Sequence, residues 1–272
     1  MKKKLIAIDL DGTTLNHDSE LSQKTIDVLN KAVHAGHYVS IATGRPYRMS
    51  EQFYRQLQLT TPMVNFNGAL VHIPNKKWSG ETETLINKNI AFEIMAQKQA
   101  LNLDFIAAEN RNTFYIDSLE SFDAKIFAAT PASLPTTSNL LSPKNMTTDP
   151  TSLLLRTTHE AAPSVAKEVT RQFGAEVDVR TWGGPNAILE IVSKGIQKAK
   201  GVHQIATYLD IDQKDVVAFG DEHNDLELLA YAGWGVAMAN GTEELKSVAN
   251  DVTPRTNQED GLADYLENLL HL

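Results

Sequence analysis

The chain has 272 residues, 42% of them hydrophobic and 22% charged, enough apolar material for a large core and close to the size at which one core tends to split into two. A formal net charge of −9, with Lys2-Lys3-Lys4 as the one dense basic run, argues against nucleic acid as a partner, because a polyanion is drawn by concentrated positive charge. Cysteine is absent, which excludes disulfides, thiolate catalysis and cysteine-bound zinc or iron–sulfur clusters.

Three lysines followed by Leu5 to Ile8 briefly imitate an export signal, but Asp9 and Asp11 break the apolar run after four residues. No export is expected, and a cytoplasmic location fits the lack of cysteine. No uncharged apolar run approaches the roughly 18 residues of a membrane span.

The short run Leu5 to Ile8 has strand length and ends on Asp9-Leu10-Asp11-Gly12, where a glycine lets the backbone turn away from a sheet. Ile26, Leu29 and Val33 then recur at helical spacing until Gly36. Tyr38 to Ala42 repeats the strand and ends on Thr43-Gly44-Arg45-Pro46, with Pro46 suited to the first turn of a helix toward Leu57. Met63 to Phe66 predicts a third strand, ending on Asn67-Gly68, and Ala69 to Ile73 with Thr84 to Ile86 reads as a hairpin.

The alternation loosens in the middle third. A helix (Asn89 to Leu101), a hairpin (Asp104 to Ala107 with Thr113 to Ile116), a helix near Leu119 to Ala128 and a Pro/Ser/Thr/Asn-rich connection from Thr130 to Thr151 are expected. A strand (Leu153 to Thr157), a helix (Pro163 to Phe173) and a strand (Val177 to Thr181) follow, giving an α+β module. Parallel-sheet grammar is expected to resume with Ile188 to Val192, then helix Ala199 to Tyr208, strand Val216 to Phe219 ending on Gly220-Asp221, helix Leu226 to Ala232, Gly235 to Met238 and helix Asp260 to Leu269. The fold class is α/β: a doubly wound, mainly parallel sheet carrying an inserted α+β domain. Residues 1–83 and 188–272 are assigned to the core and 84–187 to the insertion.

Ligands of open α/β sheets bind beyond the carboxyl ends of the strands, where this reading places Asp9, Asp11 and Asp221. Three carboxylates at adjacent strand tips repel unless a cation or protons relieve them, and a hard, oxygen-liganded ion such as Mg²⁺ is the economical answer. Thr43, the Gly44 amide and a lysine from the run Lys194, Lys198, Lys200 would supply donors for a tetrahedral anion. Taken singly, each cluster has an ordinary reading: an aspartate after a strand is often a helix cap, and Asn67-Gly68 could be a pocket floor or simply a hairpin turn. Metal and donors together point to phosphate.

This constellation resembles the haloacid dehalogenase superfamily at four motifs in order: DLDGT at Asp9 to Thr13, Thr43 after the second strand, a lysine, and GDEHND at Gly220 to Asp225. With IATGRP at Ile41 to Pro46, FNGA at Phe66 to Ala69 and VAMANGTEELK at Val236 to Lys246, the chain looks like a Cof-type member with a type IIB cap inserted between the second and third motifs. The resemblance implies Asp9 as the nucleophile that becomes an aspartyl phosphate, and Asp11 as the acid and then base, oriented by Thr13. It implies a magnesium ion held by Asp9, the Asp11 main-chain carbonyl and Asp221. Thr43, the amides of Leu10 and Gly44, and Asn224 would hold phosphate oxygens. A motif lysine three residues after a glycine selects Lys198, with Lys194 as fallback; Asp225 would support the lysine or the metal shell. His223 occupies a variable place in the motif and is taken as a loop residue. Arg180, Trp182 and Asn186 could touch substrate from the cap or simply pack.

The expected function is therefore a Mg²⁺-dependent phosphomonoester hydrolase acting on small phosphorylated metabolites, sugar phosphates foremost. A phosphomutase using the same aspartyl phosphate, or a regulatory protein that has kept the fold without catalysis, are the rivals. Oligomeric state is not legible.

Overall fold

The computed structural model describes residues 2–127, 134–181 and 186–272. Thirteen strands are described: β1 (Leu5–Ile8), β2 (Tyr38–Ile41), β3 (Met63–Asn65), β4 (Leu70–His72), β5 (Thr82–Glu83), β6 (Phe105–Glu109), β7 (Phe114–Ile116), β8 (Ser152–Arg156), β9 (Val177–Thr181), β10 (Ile188–Ser193), β11 (Val216–Gly220), β12 (Trp234–Ala237) and β13 (Asp251–Val252). The α-helices are α1 (Gln23–His34), α2 (Tyr47–Gln56), α3 (Lys88–Ala96), α4 (Ala162–Phe173), α5 (Lys198–Tyr208), α6 (Leu226–Tyr231), α7 (Glu243–Val248) and α8 (Gly261–Leu270). The chain forms two compact units: the first runs to Arg45 and resumes over Ser50–Thr82 and Gln197–Leu272, and the second comprises Pro46–Met49 and Glu83–Ile196.

In the first unit a parallel sheet runs β13-β12-β11-β1-β2. Its strands are short continuous apolar runs because helices cover such sheets on both faces, and Leu5 to Ile8 and Val216 to Phe219 are all at most 1% exposed. Register is what gathers the polar residues. Ile8 pairs with Phe219 on one side and Ile41 on the other, so Asp9, Asp221 and Thr43 all fall just beyond the same edge. A parallel bridge between Ala42 and Val64 continues the order toward β3. Local signals set the helices: the Ser22 side chain accepts the Thr25 amide at 3.0 Å to open α1, as a serine cap should.

The second unit is an antiparallel sheet in the order β7-β6-β8-β10-β9. One face packs Ile106, Ala108, Leu153, Leu155, Leu189 and Ile191 against Ile90 and Ile94 of α3 and Val165, Val169 and Phe173 of α4. The other carries Phe105, Phe114, Phe127, Leu154 and Ile188.

Two expectations are corrected. Ile188–Ser193, assigned above to the core segment 188–272, pairs antiparallel with β8 and β9 instead; an apolar run of this length looks the same in either kind of sheet, and tertiary pairing decides. Residues 119–127 hold a single turn of 3-10 helix, Leu119–Ser121, rather than an α-helix. Phe122 ends that turn in extended backbone and stacks with Phe114 and Phe127 at 5.7 and 5.2 Å between ring centres, so aromatic packing overrides helical spacing there. Ala128 and Trp182 lie outside the described residues.

Candidate active site

Asp9 follows β1, is 5% exposed, and donates its amide to Phe219 O at 3.2 Å. The next turn is tight: the amides of Thr13, Thr14 and Leu15 all converge on Leu10 O, at 3.3, 3.0 and 2.9 Å. Gly12 sits at φ +69°, and a Cβ there would lie 2.0 Å from Asp221 Oδ2. Glycine is thus required twice, for its left-handed backbone and for the close approach of the third acid.

Lys198 opens α5 and is completely buried. Its ammonium donates to Asp9 Oδ1 at 2.7 Å and Asp225 Oδ1 at 2.8 Å. The other oxygen of Asp225 accepts the amides of Asp221 at 3.1 Å and Glu222 at 3.3 Å, so both its oxygens already face protein donors. Of the two rival lysines, Lys194 pairs with Asp178 at 2.7 Å and Lys200 is exposed; Lys198 is the lysine among the acids.

Carboxylate oxygens of Asp9, Asp221 and Asp225 lie within 4.8 Å of one another, with one ammonium bonded to two of the three. Burial, reinforced by Asp225 and Asp11 and opposed by Lys198, pushes the Asp9 carboxyl up to about 7. Burial and the charges of Asp9 and Asp225 push Asp221 up to about 8. Burial by itself would lower Lys198, yet Asp225 and Asp9 hold it above the usual lysine value. This excess of buried negative charge on an all-oxygen donor set fits a hard divalent cation.

Thr43, Gly44 and Asn224 lie on loops joined through Asn67. Thr43, 1% exposed, accepts the Arg45 amide on its hydroxyl at 3.1 Å and donates its own amide to Val64 O at 3.0 Å. Gly44 follows it beside the Asn67 side chain, and Asn224 donates its amide nitrogen to Asn67 Oδ1 at 2.9 Å. The Thr13 hydroxyl, expected to orient Asp11, donates instead to Asp221 Oδ1 at 2.7 Å. The Asp11 side chain is 58% exposed and paired with Arg45, so it stands outside the acid cluster and only its main-chain carbonyl is a candidate metal ligand. His223 is exposed and lies 3.1 Å from Glu244. Arg180 donates to Ile196 O, and Asn186 is exposed.

Sequence reasoning gave no role to three further residues, Arg45, Asn240 and Thr242. Arg45 stands two positions after Thr43, and a cation that close to a phosphate donor was the signal. Asn240, inside VAMANGT, donates to Gly12 O at 2.8 Å and accepts the Asn257 amide at 3.0 Å, while Thr242 donates its amide to Asp221 O at 3.0 Å. That motif therefore braces both acid-bearing loops, which its spacing from them in sequence hides.

A parallel sheet whose aligned strand tips gather an aspartate bonded to a buried lysine, two more buried acids and a buried threonine defines a haloacid-dehalogenase-like enzyme core. The family model for haloacid dehalogenase-like hydrolases matches residues 6–266. Over 276 aligned residues, covering 100% of this chain and 99% of the other, the chain is 36% identical to the 5-amino-6-(5-phospho-D-ribitylamino)uracil phosphatase YitU of Bacillus subtilis. It is 28% identical to the pyridoxal phosphate phosphatase YbhA of Escherichia coli, covering 98% of each. The crystal structure of a haloacid dehalogenase-like hydrolase from Bacteroides thetaiotaomicron shares the fold, with a TM-score of 0.86 at 24% identity over 98% of this chain and 100% of that one. The chain belongs to the haloacid dehalogenase-like hydrolases, as a Cof-type phosphatase.

Proposed function

We propose that this phosphatase hydrolyses small phosphorylated metabolites, with phosphorylated sugars or sugar alcohols as the substrate class, through an aspartyl phosphate on Asp9. The observation that carries the reading is the Asp9–Lys198–Asp225 chain beside Asp221: a carboxylate at a strand tip, held by a buried ammonium, in a position where a second charge-neutralising group would be needed before an anion could approach. The 5-phospho-D-ribityl group in the name of the relative at 36% identity supports the substrate class.

Mg²⁺ would be held by Asp9, Asp221 and the Asp11 main-chain carbonyl, and when bound it supplies the positive charge that lets a carboxylate meet a phosphate dianion. An Asp9 oxygen attacks phosphorus, the bond from phosphorus to the ester oxygen breaks, and Asp11 gives the departing alcohol its proton. Asp11 then takes a proton from water as that water attacks phosphorus, and Asp9 is regenerated as phosphate leaves. Thr43, the amides of Leu10 and Gly44, and Asn224 hold the phosphoryl oxygens, and Lys198 keeps the Asp9 carboxylate aimed and partly neutralised. The second unit, chiefly Glu83–Ile196, is the proposed cap and supplies selectivity for the leaving group.

The test is a screen of phosphorylated sugars, polyols and nucleotides with and without Mg²⁺, wild type against Asp9→Asn. Phosphate release by wild type with Mg²⁺ and none by the variant supports the reading. Comparable release by Asp9→Asn removes the nucleophile assignment.

A further inference from the structure

Phe66, Asn67 and Gly68 occupy left-handed backbone in succession, at φ of +50°, +56° and +112°. Single residues visit that region; a run that includes a bulky aromatic is strained and persists only where the surroundings over-determine it. Here they do. Phe66 donates its amide to Arg45 O at 3.3 Å and Asn67 donates its amide to Thr43 O at 3.1 Å. Asn65, just before the turn, donates its side-chain amide to Arg45 O at 2.9 Å and to Ser50 at 2.8 Å. The turn therefore holds both ends of the Thr43–Arg45 loop from below.

The same three residues reach two more loops. A Cβ on Gly68 would lie 2.3 Å from Gln197 O, so Gly68 is pressed onto the backbone immediately before Lys198. The Asn67 side-chain oxygen Oδ1 accepts the Asn224 side-chain amide at 2.9 Å, and a Cβ on Gly44 would lie 3.1 Å from Asn67 Nδ2. Asn67 is only 2% exposed. One strained turn thus touches the loop of Thr43, the loop of Lys198 and the loop of Asn224.

We propose that Asn67 is a positioning residue of the phosphate site: held in left-handed backbone, it fixes which way the Asn224 amide points and sets the spacing between Asn224 and the Thr43-Gly44 donors. The inference rests on the reading of Thr43, Gly44 and Asn224 as phosphate holders. Asparagine suits the position for two reasons at once, since it tolerates left-handed backbone better than other side chains and carries the carbonyl that Asn224 needs.

Asn67→Gly keeps the backbone freedom and removes the side chain, so its thermal midpoint is expected to stay near that of wild type. Orthovanadate, a phosphate mimic, is the probe, measured by calorimetry in Mg²⁺ buffer beside kcat and KM on p-nitrophenyl phosphate. Asn67→Gly is expected to weaken orthovanadate binding and kcat/KM by about 10- to 100-fold, the scale at which a misplaced group registers. Adding Asn224→Ala to Asn67→Gly should cost little more, because Asn224 has already lost its aim. Asn67→Asp retains an acceptor and tolerance of left-handed backbone, so adding Asn224→Ala to it should cost as much as in wild type. That second pair is the control; if the glycine variant does not fold, Asn67→Ser, whose short hydroxyl ends well short of the Asn224 amide, takes its place with the same expectations. Unchanged orthovanadate binding in Asn67→Gly, or losses that are fully additive between Asn67→Gly and Asn224→Ala, overturns the inference. Failure of the phosphatase reading shows elsewhere, in a wild type that neither binds orthovanadate nor releases phosphate, and the inference falls with it.

Discussion

Arg45 grips Asp11 at two points, donating Nε to Oδ2 at 2.7 Å and Nη2 to Oδ1. The Arg45 side chain is 13% exposed and its guanidinium lies over the Phe53 ring, 5.4 Å from its centre, so it is a fixed partner rather than a mobile surface charge. A two-point grip fixes where the Asp11 oxygens point, and so positions the group that the proposed mechanism uses as the base toward water.

Arg45→Gln should therefore slow hydrolysis of the aspartyl phosphate more than its formation. With p-nitrophenyl phosphate, whose leaving group needs no acid, steady turnover is expected to fall by about tenfold, a modest part of what general base catalysis supplies. The first-turnover burst of nitrophenol should persist. Rapid-quench kinetics reads both, and a lost burst with unchanged steady turnover would contradict the assignment.

Lys198 is the counter-charge for Asp9 and Asp225 in a fully buried position. Lys198→Met leaves two buried carboxylates without it and should cost about 3–5 kcal/mol of stability, the scale for breaking a buried pair from one side. Lys198→Met combined with Asp225→Asn should recover part of that loss. Urea unfolding of the four proteins checks the cycle; a double variant no more stable than Lys198→Met would show that Asp225 is not part of the penalty.

At Gly12 two demands coincide, a φ of +69° and Asp221 against the Cα. Gly12→Ala should lower stability by about 1–3 kcal/mol through backbone strain and should displace Asp221, weakening Mg²⁺ binding as well. Gly36→Ala, at φ +92° with open space around it, carries the strain without the displacement. A thermal shift on adding Mg²⁺ that is reduced in Gly12→Ala and intact in Gly36→Ala separates the two effects.

Mg²⁺ itself should raise the thermal midpoint of the wild type, because a ligand that binds only the folded state stabilises it by mass action. Asp221→Asn is expected to abolish most of that shift and most phosphate release together. Activity removed by a chelator should return on adding Mg²⁺. An undiminished shift in Asp221→Asn would place the cation elsewhere.

Local pattern and tertiary contact divided the work on this protein cleanly. The amino-acid sequence alone determined strands β1, β2, β11 and β12 of the parallel sheet and the acids and threonine at their tips, because a short apolar run ending on Asp9, Thr43 or Asp221 states both the strand and where it stops. It also narrowed the lysine to a run of three, from which the family resemblance selected Lys198 with Lys194 as fallback. Only the tertiary structure decided that Lys198 bridges Asp9 and Asp225, that Asp11 answers to Arg45, and that Thr13 answers to Asp221, since hydrogen bonds between residues 27 to 208 positions apart leave no local trace. The same limit explains Ile188–Ser193: its apolar run suits a buried strand of either sheet, and the antiparallel partners that claim it, β8 and β9, can be known only when the chain has folded back on itself.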